Sequence, residues 1–110
     1  MINISKTAEG ITLRGHADYA PHGQDVVCAG ISTLVQTLIQ SIEELTQDKI
    51  QYSMSPGRVD INYRDLSERA RLLVDSFFVG AFMIASEYPD NVHIAICDLK
   101  KRPSLEVGKS

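Results

Sequence analysis

Two residues that can perform nucleophilic chemistry lie close together in the first third of the chain. His16 and Cys28 are twelve positions apart, within the stretch GHADYAPHGQDVVCAGISTL. A cysteine thiolate attacks carbonyl carbon, and a histidine can accept the thiol proton and later protonate a leaving amine. The pair is therefore a candidate for thiol-dependent acyl transfer, although spacing alone favours a surface histidine without a role at His16.

Cys28 falls in the first turn of a predicted helix, directly after a loop that contains glycine. Backbone N–H groups at a helix start have no partner within the helix, and the positive end of the helix dipole favours a thiolate there. The alternative is a small buried hydrophobe, since Val26, Val27 and Ala29 flank it. Position alone leaves both interpretations open.

Other polar residues of this stretch suggest weaker hypotheses. His16, His22 and Cys28 could offer three zinc ligands, but spacings of six and six match no compact zinc pattern, so we expect no metal and no cofactor. Asp25 either caps the helix or contacts His16 or a substrate backbone. Ser32 lies one turn after Cys28, where it lines the same site or bonds to its own helix backbone.

The elements that must position these residues follow from the hydropathy pattern. Two short alternating segments predict an N-terminal hairpin, and residues 15–24 predict a loop. Apolar residues at spacings of three and four predict a helix from Asp25 to about Asp48. A second hairpin turns at Pro56-Gly57, a second helix ends before Pro89, and a buried strand covers Val92 to Cys97.

The predicted order is therefore ββαββαβ. It indicates an α/β (α+β) two-layer sandwich, with two helices packed on one face of a mixed five-stranded sheet. Residues 1–99 form a single predicted domain and 100–110 a flexible tail. Asp65, with Glu68 three residues later, is the predicted cap of the second helix. Cys97 is expected to be inert.

Composition excludes several classes of protein. With 110 residues, 44% of them hydrophobic, the chain is one globular domain and not a disordered segment. A net charge of −3 argues against a broad basic surface for nucleic acid. The pattern holds no uninterrupted apolar run of ~20 residues and no apolar signal core at the N-terminus, so we expect no membrane span and a cytoplasmic location. Two cysteines 69 positions apart predict no disulfide framework.

The stretch from Gly15 to Leu34 resembles the signature of the ribosomal-processing cysteine proteases of bacteria. It has a Gly-His-Ala start, a Tyr-Ala pair, a Gly-x-Asp, and a Val-Cys-Ala followed by a serine. The signature spans about a fifth of the chain, and the length and predicted element order fit the family over nearly all the rest. Ala29-Gly30, where many members have two alanines, lowers helix propensity only. The family pattern demands no histidine at His22.

This resemblance implies a small cytosolic protease with a Cys–His dyad, in which Cys28 is the nucleophile and His16 the general base. Its implied substrate is the N-terminal extension of a large-subunit ribosomal protein, and it implies a homodimer. It implies no cofactor, and we expect neither membrane attachment nor direct nucleic-acid binding. Further matches in or near the site are Gly15, Asp25 and Ser32.

Two other functions remain open at this point. The first is a non-enzymatic ribosome-associated binding protein in which the cysteine and histidine are structural. The second is a thiol-dependent acyl-transfer or redox enzyme, which is disfavoured because no second cysteine lies near Cys28.

The second predicted helix carries an apolar surface beyond the one that the sheet needs. Leu72, Val79 and Met83 project opposite the sheet-facing side at 100° per residue. An exposed apolar stripe of this kind usually marks an interface, and two-fold pairing is the commonest arrangement. The sequence thus predicts a dimer through this helix, unless the first helix and the tail cover the stripe.

Overall fold

A computed structural model describes residues 1–15, 26–97 and 105–107. It confirms the predicted two-layer α/β class, with both helices and the five predicted strands in the expected order. The elements are β1 (Ile2–Thr7), β2 (Gly10–Arg14), α1 (Val26–Leu45), β3 (Gln51–Ser55), β4 (Arg58–Asn62), α2 (Glu68–Glu87), β5 (Val92–Ile96) and β6 (Leu105–Val107).

The strands form one mixed sheet in the order β3-β4-β2-β1-β5-β6. β1 pairs parallel with β5, and the other neighbours pair antiparallel. The sixth strand, β6, lies in the segment 100–110, for which the sequence predicted only a tail. Three residues are too few to show a period, so their pairing with the otherwise open edge of β5 was not predictable from local pattern.

Both helices cover the same face of the sheet. Alternate residues of β1 show this, because Ile2 and Ile4 are buried whereas Asn3 and Ser5 are exposed. On the helix side of the sheet, apolar side chains of β1, β2, β4 and β5 pack against one stripe of each helix. The buried residues of α1 are Val27, Ile31, Val35, Leu38, Ile39 and Ile42.

α1 has 20 residues with a mean hydropathy of 1.3 in its most apolar window, which by length and composition alone is enough to cross a membrane. This qualifies the expectation drawn from the apolar runs of the sequence. A core helix has the same composition, and here Ile31, Val35 and Ile42 are almost fully buried within the protein. The apolar character of α1 is thus accounted for by its packing on the sheet.

The cap of α2 is Ser67 and not the predicted Asp65. The Ser67 hydroxyl accepts a hydrogen bond from the N–H of Ala70 at 3.1 Å and donates one to the carboxylate of Asp48. The Ser67 N–H donates to the same carboxylate at 2.7 Å. Asp65 instead adopts a left-handed backbone with φ of 53° in the preceding turn. The capping bond to Ala70 is local, so the sequence offered both Asp65 and Ser67 as caps, and the Asp48 contact that holds Ser67 in place lies nineteen residues away in the chain.

Asp48 therefore ties the middle of the α1–β3 connection to the start of α2. Hydrogen bonds from the Ser67 side chain and then its backbone N–H hold the pKa of Asp48 below the ordinary value of 3.8. A carboxyl with a depressed folded-state pKa stabilises the fold above its unfolded pKa, and the contribution is lost as pH falls through the folded value.

We expect Asp48→Asn to destabilise the protein at pH 7 by no more than about 1 kcal/mol, because a neutral amide is a weaker acceptor and solvent screens this site. The difference from wild type should shrink at pH 3, below 3.8. Urea unfolding at both pH values measures it, with the exposed carboxylate variant Asp75→Asn as control. An equal difference at both pH values would contradict the assignment.

Candidate active site

A cleft of about 190 Å³ opens between the start of α1 and the β3–β4 hairpin. Its floor is formed by buried apolar side chains from β1, β2, β4 and α1, so its interior is largely apolar. These floor residues are Ile2, Leu13, Ile31, Val35 and Val59. A cleft with an apolar floor and a few polar groups at its edge is the usual form of a binding site.

Cys28 lies on the α1 wall of this cleft. It is the third residue of α1 and is half-buried, so the predicted position in the first turn is confirmed. Val27 and Ile31 on the same helix are buried in the core and fix the helix against the sheet. N–H groups of a first turn have no acceptor within their own helix, which makes this end of α1 suited to a developing negative charge.

Gly15 and Ser32 line the cleft together with Cys28, so the structure brings these three predicted site residues to one place. Ser32 is exposed, one turn along α1. Gly15 has a φ of 95°, and a Cβ built there would collide with the carbonyl oxygen of Met1. Only glycine fits this position without strain, since both the backbone conformation and the close approach exclude a side chain.

The opposite wall comes from the turn of the β3–β4 hairpin, which the sequence analysis did not assign to the site. Its residues Met54 to Gly57 line the cleft, and Met54 is 43% exposed. The Gly15 N–H donates a hydrogen bond to the Gly57 carbonyl at 2.9 Å, which joins the end of β2 to this turn. The alternating pattern predicted the hairpin, but only the pairing of β4 with β2 places it opposite Cys28.

The remaining predicted site residues, His16, His22 and Asp25, lie outside the described residues. Cys97 is described and lies away from the cleft lining, just after β5. Its predicted burial at the end of a strand is wrong, because β5 ends at Ile96 and Cys97 is exposed.

Comparison with protein families connects this chain to a known activity. Residues 1–93 match the family model described as cysteine protease Prp. The chain is 29% identical over 100 residues to the ribosomal processing cysteine protease Prp of Staphylococcus aureus, covering 84% of this chain and 94% of that protein. It is 28% identical over 92 residues to the Prp of Bacillus subtilis, covering 74% of this chain and 80% of that protein.

Solved structures show the same fold. A crystal structure of the S. aureus ribosomal processing protease Prp, in complex with a covalently linked product peptide, superposes with a TM-score of 0.83 at 25% identity, covering 88% of this chain and all of that one (100%). A second structure of the S. aureus protease, in complex with a substrate peptide, gives a TM-score of 0.78 at 24% identity, with the same coverage of 88% and 100%.

We expect Cys28 to be alkylated by iodoacetamide at neutral pH about tenfold faster than Cys97, because a nucleophilic thiol is activated by its surroundings. Exposure alone predicts the reverse order, since Cys28 is half-buried and Cys97 is exposed. The single-thiol variants Cys28→Ser and Cys97→Ser isolate each rate. Faster reaction at Cys97 would argue for a structural Cys28.

Proposed function

The chain belongs to the cysteine protease Prp family and is a cysteine protease, and from this premise we propose that it removes the N-terminal extension of a bacterial large-subunit ribosomal protein in the cytoplasm. In this proposal Cys28 is the nucleophile and His16 the general base. The observation that supports it most directly is the position of Cys28, in the first turn of α1 on the wall of an apolar cleft.

The chemistry proceeds through an acyl-enzyme. His16 accepts the Cys28 proton, the thiolate forms a bond to the scissile carbonyl carbon, and the C–N bond breaks as the imidazolium protonates the leaving amine. Water, deprotonated by the same imidazole, then hydrolyses the thioester and regenerates the thiol. First-turn N–H groups of α1 are suited to hold the oxyanion of each tetrahedral intermediate. The covalently linked product peptide of the S. aureus relative is consistent with this route.

The shape of the cleft favours an extended peptide with apolar side chains near the scissile bond. Ile31, Val35 and Val59 offer an apolar floor, and Met54 adds a flexible, partly exposed contact. Ser32 and Gly15 stand at the rim beside Cys28, where polar groups can meet the peptide backbone. The S. aureus relative that was solved in complex with a substrate peptide is consistent with a peptide ligand.

A binding protein with a structural cysteine is the main alternative. A structural cysteine is ordinarily enclosed and inert. Cys28 instead lines an open cleft, which favours the protease.

We expect Cys28→Ala and Cys28→Ser to abolish removal of the extension while leaving the fold intact, because no other described cysteine lines the cleft. The measurement is the mass of the ribosomal protein's N-terminal fragment after incubation with each variant. Cys97→Ser is the matched control and should cleave as wild type. Full turnover by Cys28→Ala would refute the assignment of Cys28 as the nucleophile.

In the same assay we expect His16→Ala to abolish most of the turnover, because the thiol would lose its proton acceptor, whereas His22→Ala should reduce turnover much less. A larger loss in His22→Ala than in His16→Ala would assign the general base to His22.

We also propose that the protease is a homodimer through α2. Leu72, Val79 and Met83 are 67%, 61% and 68% exposed, so among the described residues no element covers the stripe that the sequence predicted. Their spacing of seven and four places them on one line along the helix. A second copy of the same helix, packed across a two-fold axis, would bury this line on both subunits.

We expect wild-type protein to sediment as a dimer at micromolar concentration and Val79→Glu or Met83→Glu to sediment as a monomer, because each would place a charge in an apolar contact. Leu45→Glu is the control, since Leu45 is also exposed, at 56%, but lies at the end of α1. A monomeric wild type would refute the proposed dimer. If both α2 variants remained dimeric, the interface would have to lie on another surface of the protein.

A further inference from the structure

Three charged side chains form a cluster on the face of the sheet that the helices leave open. Arg14 Nη2 lies 2.7 Å from Asp60 Oδ1, and Arg58 Nε lies 3.2 Å from Asp60 Oδ2. Their chain neighbours Leu13 and Val59 are buried on the helix side, so alternation along β2 and β4 points the three charges to the other face. Arg14 and Asp60 therefore lie behind the cleft, whereas Arg58, the first residue of β4, also borders the cleft beside the hairpin turn.

The register explains why a carboxylate is needed here. Arg14 and Arg58 are direct cross-strand partners in the β2–β4 pairing. Like charges in that arrangement repel and weaken the pairing. Asp60 lies two residues along β4 on the same face and contacts both guanidinium groups, one through each carboxylate oxygen. One carboxylate thus converts a repulsive pair into a connected cluster.

Arg14 also bonds to the backbone of both strands. Its Nη1 donates to the carbonyl of Leu13 at 2.9 Å and to that of Val59 at 3.1 Å. The Arg14 hydrogen bond is the main reason that the pKa of Asp60 lies below 3.8, so the carboxylate is charged at neutral pH. The cluster consequently clamps the last residue of β2 to the first half of β4.

The Arg14–Asp60 part of this clamp lies directly behind the residues that form the cleft, and Arg58 is one of those residues. The backbone carbonyls of Leu13 and Val59 accept hydrogen bonds from Arg14, and the side chains of the same two residues form part of the cleft floor. One residue after Arg14, the Gly15 N–H bonds to the Gly57 carbonyl in the turn that forms the opposite wall. Within the described sheet the β3–β4 hairpin is at the edge and is held through β2 alone. If the pairing between the end of β2 and the start of β4 is weakened, the hairpin turn that forms the opposite wall therefore shifts relative to Cys28.

We propose that Asp60 is a positioning residue of the protease, which sets the hairpin wall against Cys28 for binding of the peptide. The inference rests on the proposed peptidase function. Asp60 contacts neither the floor nor the thiol, and it acts through Arg14 and Arg58. Loss of its charge leaves the two guanidinium groups opposed and the wall displaced, so that the bound peptide is held less well while the thiol itself is unchanged.

The test compares steady-state cleavage of a peptide spanning the processing site by wild type and Asp60→Asn. We expect KM to rise about fivefold with kcat within about twofold, a size suited to partly exposed ion pairs. Asp60→Glu, which keeps the carboxylate, should recover most of the loss. Alkylation of Cys28 by iodoacetamide, which needs no peptide site, should proceed at the wild-type rate.

Asp48→Asn is the matched control, since Asp48 is also a hydrogen-bonded carboxylate of depressed pKa but holds α2 and not the cleft. It should leave KM unchanged at a comparable loss of stability, measured by urea unfolding. Because Arg58 also borders the cleft, the double variant is compared with Arg58→Gln alone: once Arg58→Gln has removed the repulsion, adding Asp60→Asn should raise KM much less than it does in wild type. An unchanged KM in Asp60→Asn, or an equal rise in Asp48→Asn, would overturn the positioning role. Failure of wild type to cleave would instead refute the proposed function itself.

Discussion

The pairing of β2 with β4 is the contact on which the candidate site depends. It joins the two hairpins, which are separated in the chain by the whole of α1, into one sheet. At one end of this pairing Gly10 lies opposite Asn62, and a Cβ at Gly10 would collide with the Ile61 carbonyl oxygen. At the other end Arg14 meets Arg58, with Asp60 between them. Close backbone approach and charge compensation thus secure the two ends.

The β2–β4 pairing places the turn of the β3–β4 hairpin opposite Cys28, across the cleft. The start of α1 alone would present Cys28 to open solvent, where a helix terminus is a generic feature. With the hairpin turn opposite, the same cysteine borders an apolar cleft in which a peptide can be bound and water partly excluded. Binding and positioning of this kind supply much of the rate of an enzyme, because they convert an encounter in solution into a reaction within a complex.

Apolar and polar contacts stabilise different parts of this small protein. Apolar burial on the helix side fixes α1 and α2 on the sheet, with Ile4, Ile42 and Ala81 fully enclosed. Polar contacts instead fix ends: Asp48 secures the start of α2, and Asp60 the end of β2. Such hydrogen-bonded carboxylates contribute little to the free energy of unfolding at the surface. They instead fix the positions of helix and strand ends that the hydrophobic core does not contact.

The sequence by itself determined the local elements and the identity of the candidate nucleophile. A period of two located four strands, an apolar run located the fifth, and helical spacing with stop signals located two helices. The signature around Cys28 indicated the family. All of these patterns lie in residues that are close in the chain. Tertiary structure decided the rest. The hairpin wall, the Asp48 contact that holds the Ser67 cap, and the strand β6 depend on partners distant in sequence, and the exposure of Cys97 depends on where β5 ends. Strand register and strand order are set by packing over the whole sheet, and local periodicity carries no information about which strands become neighbours.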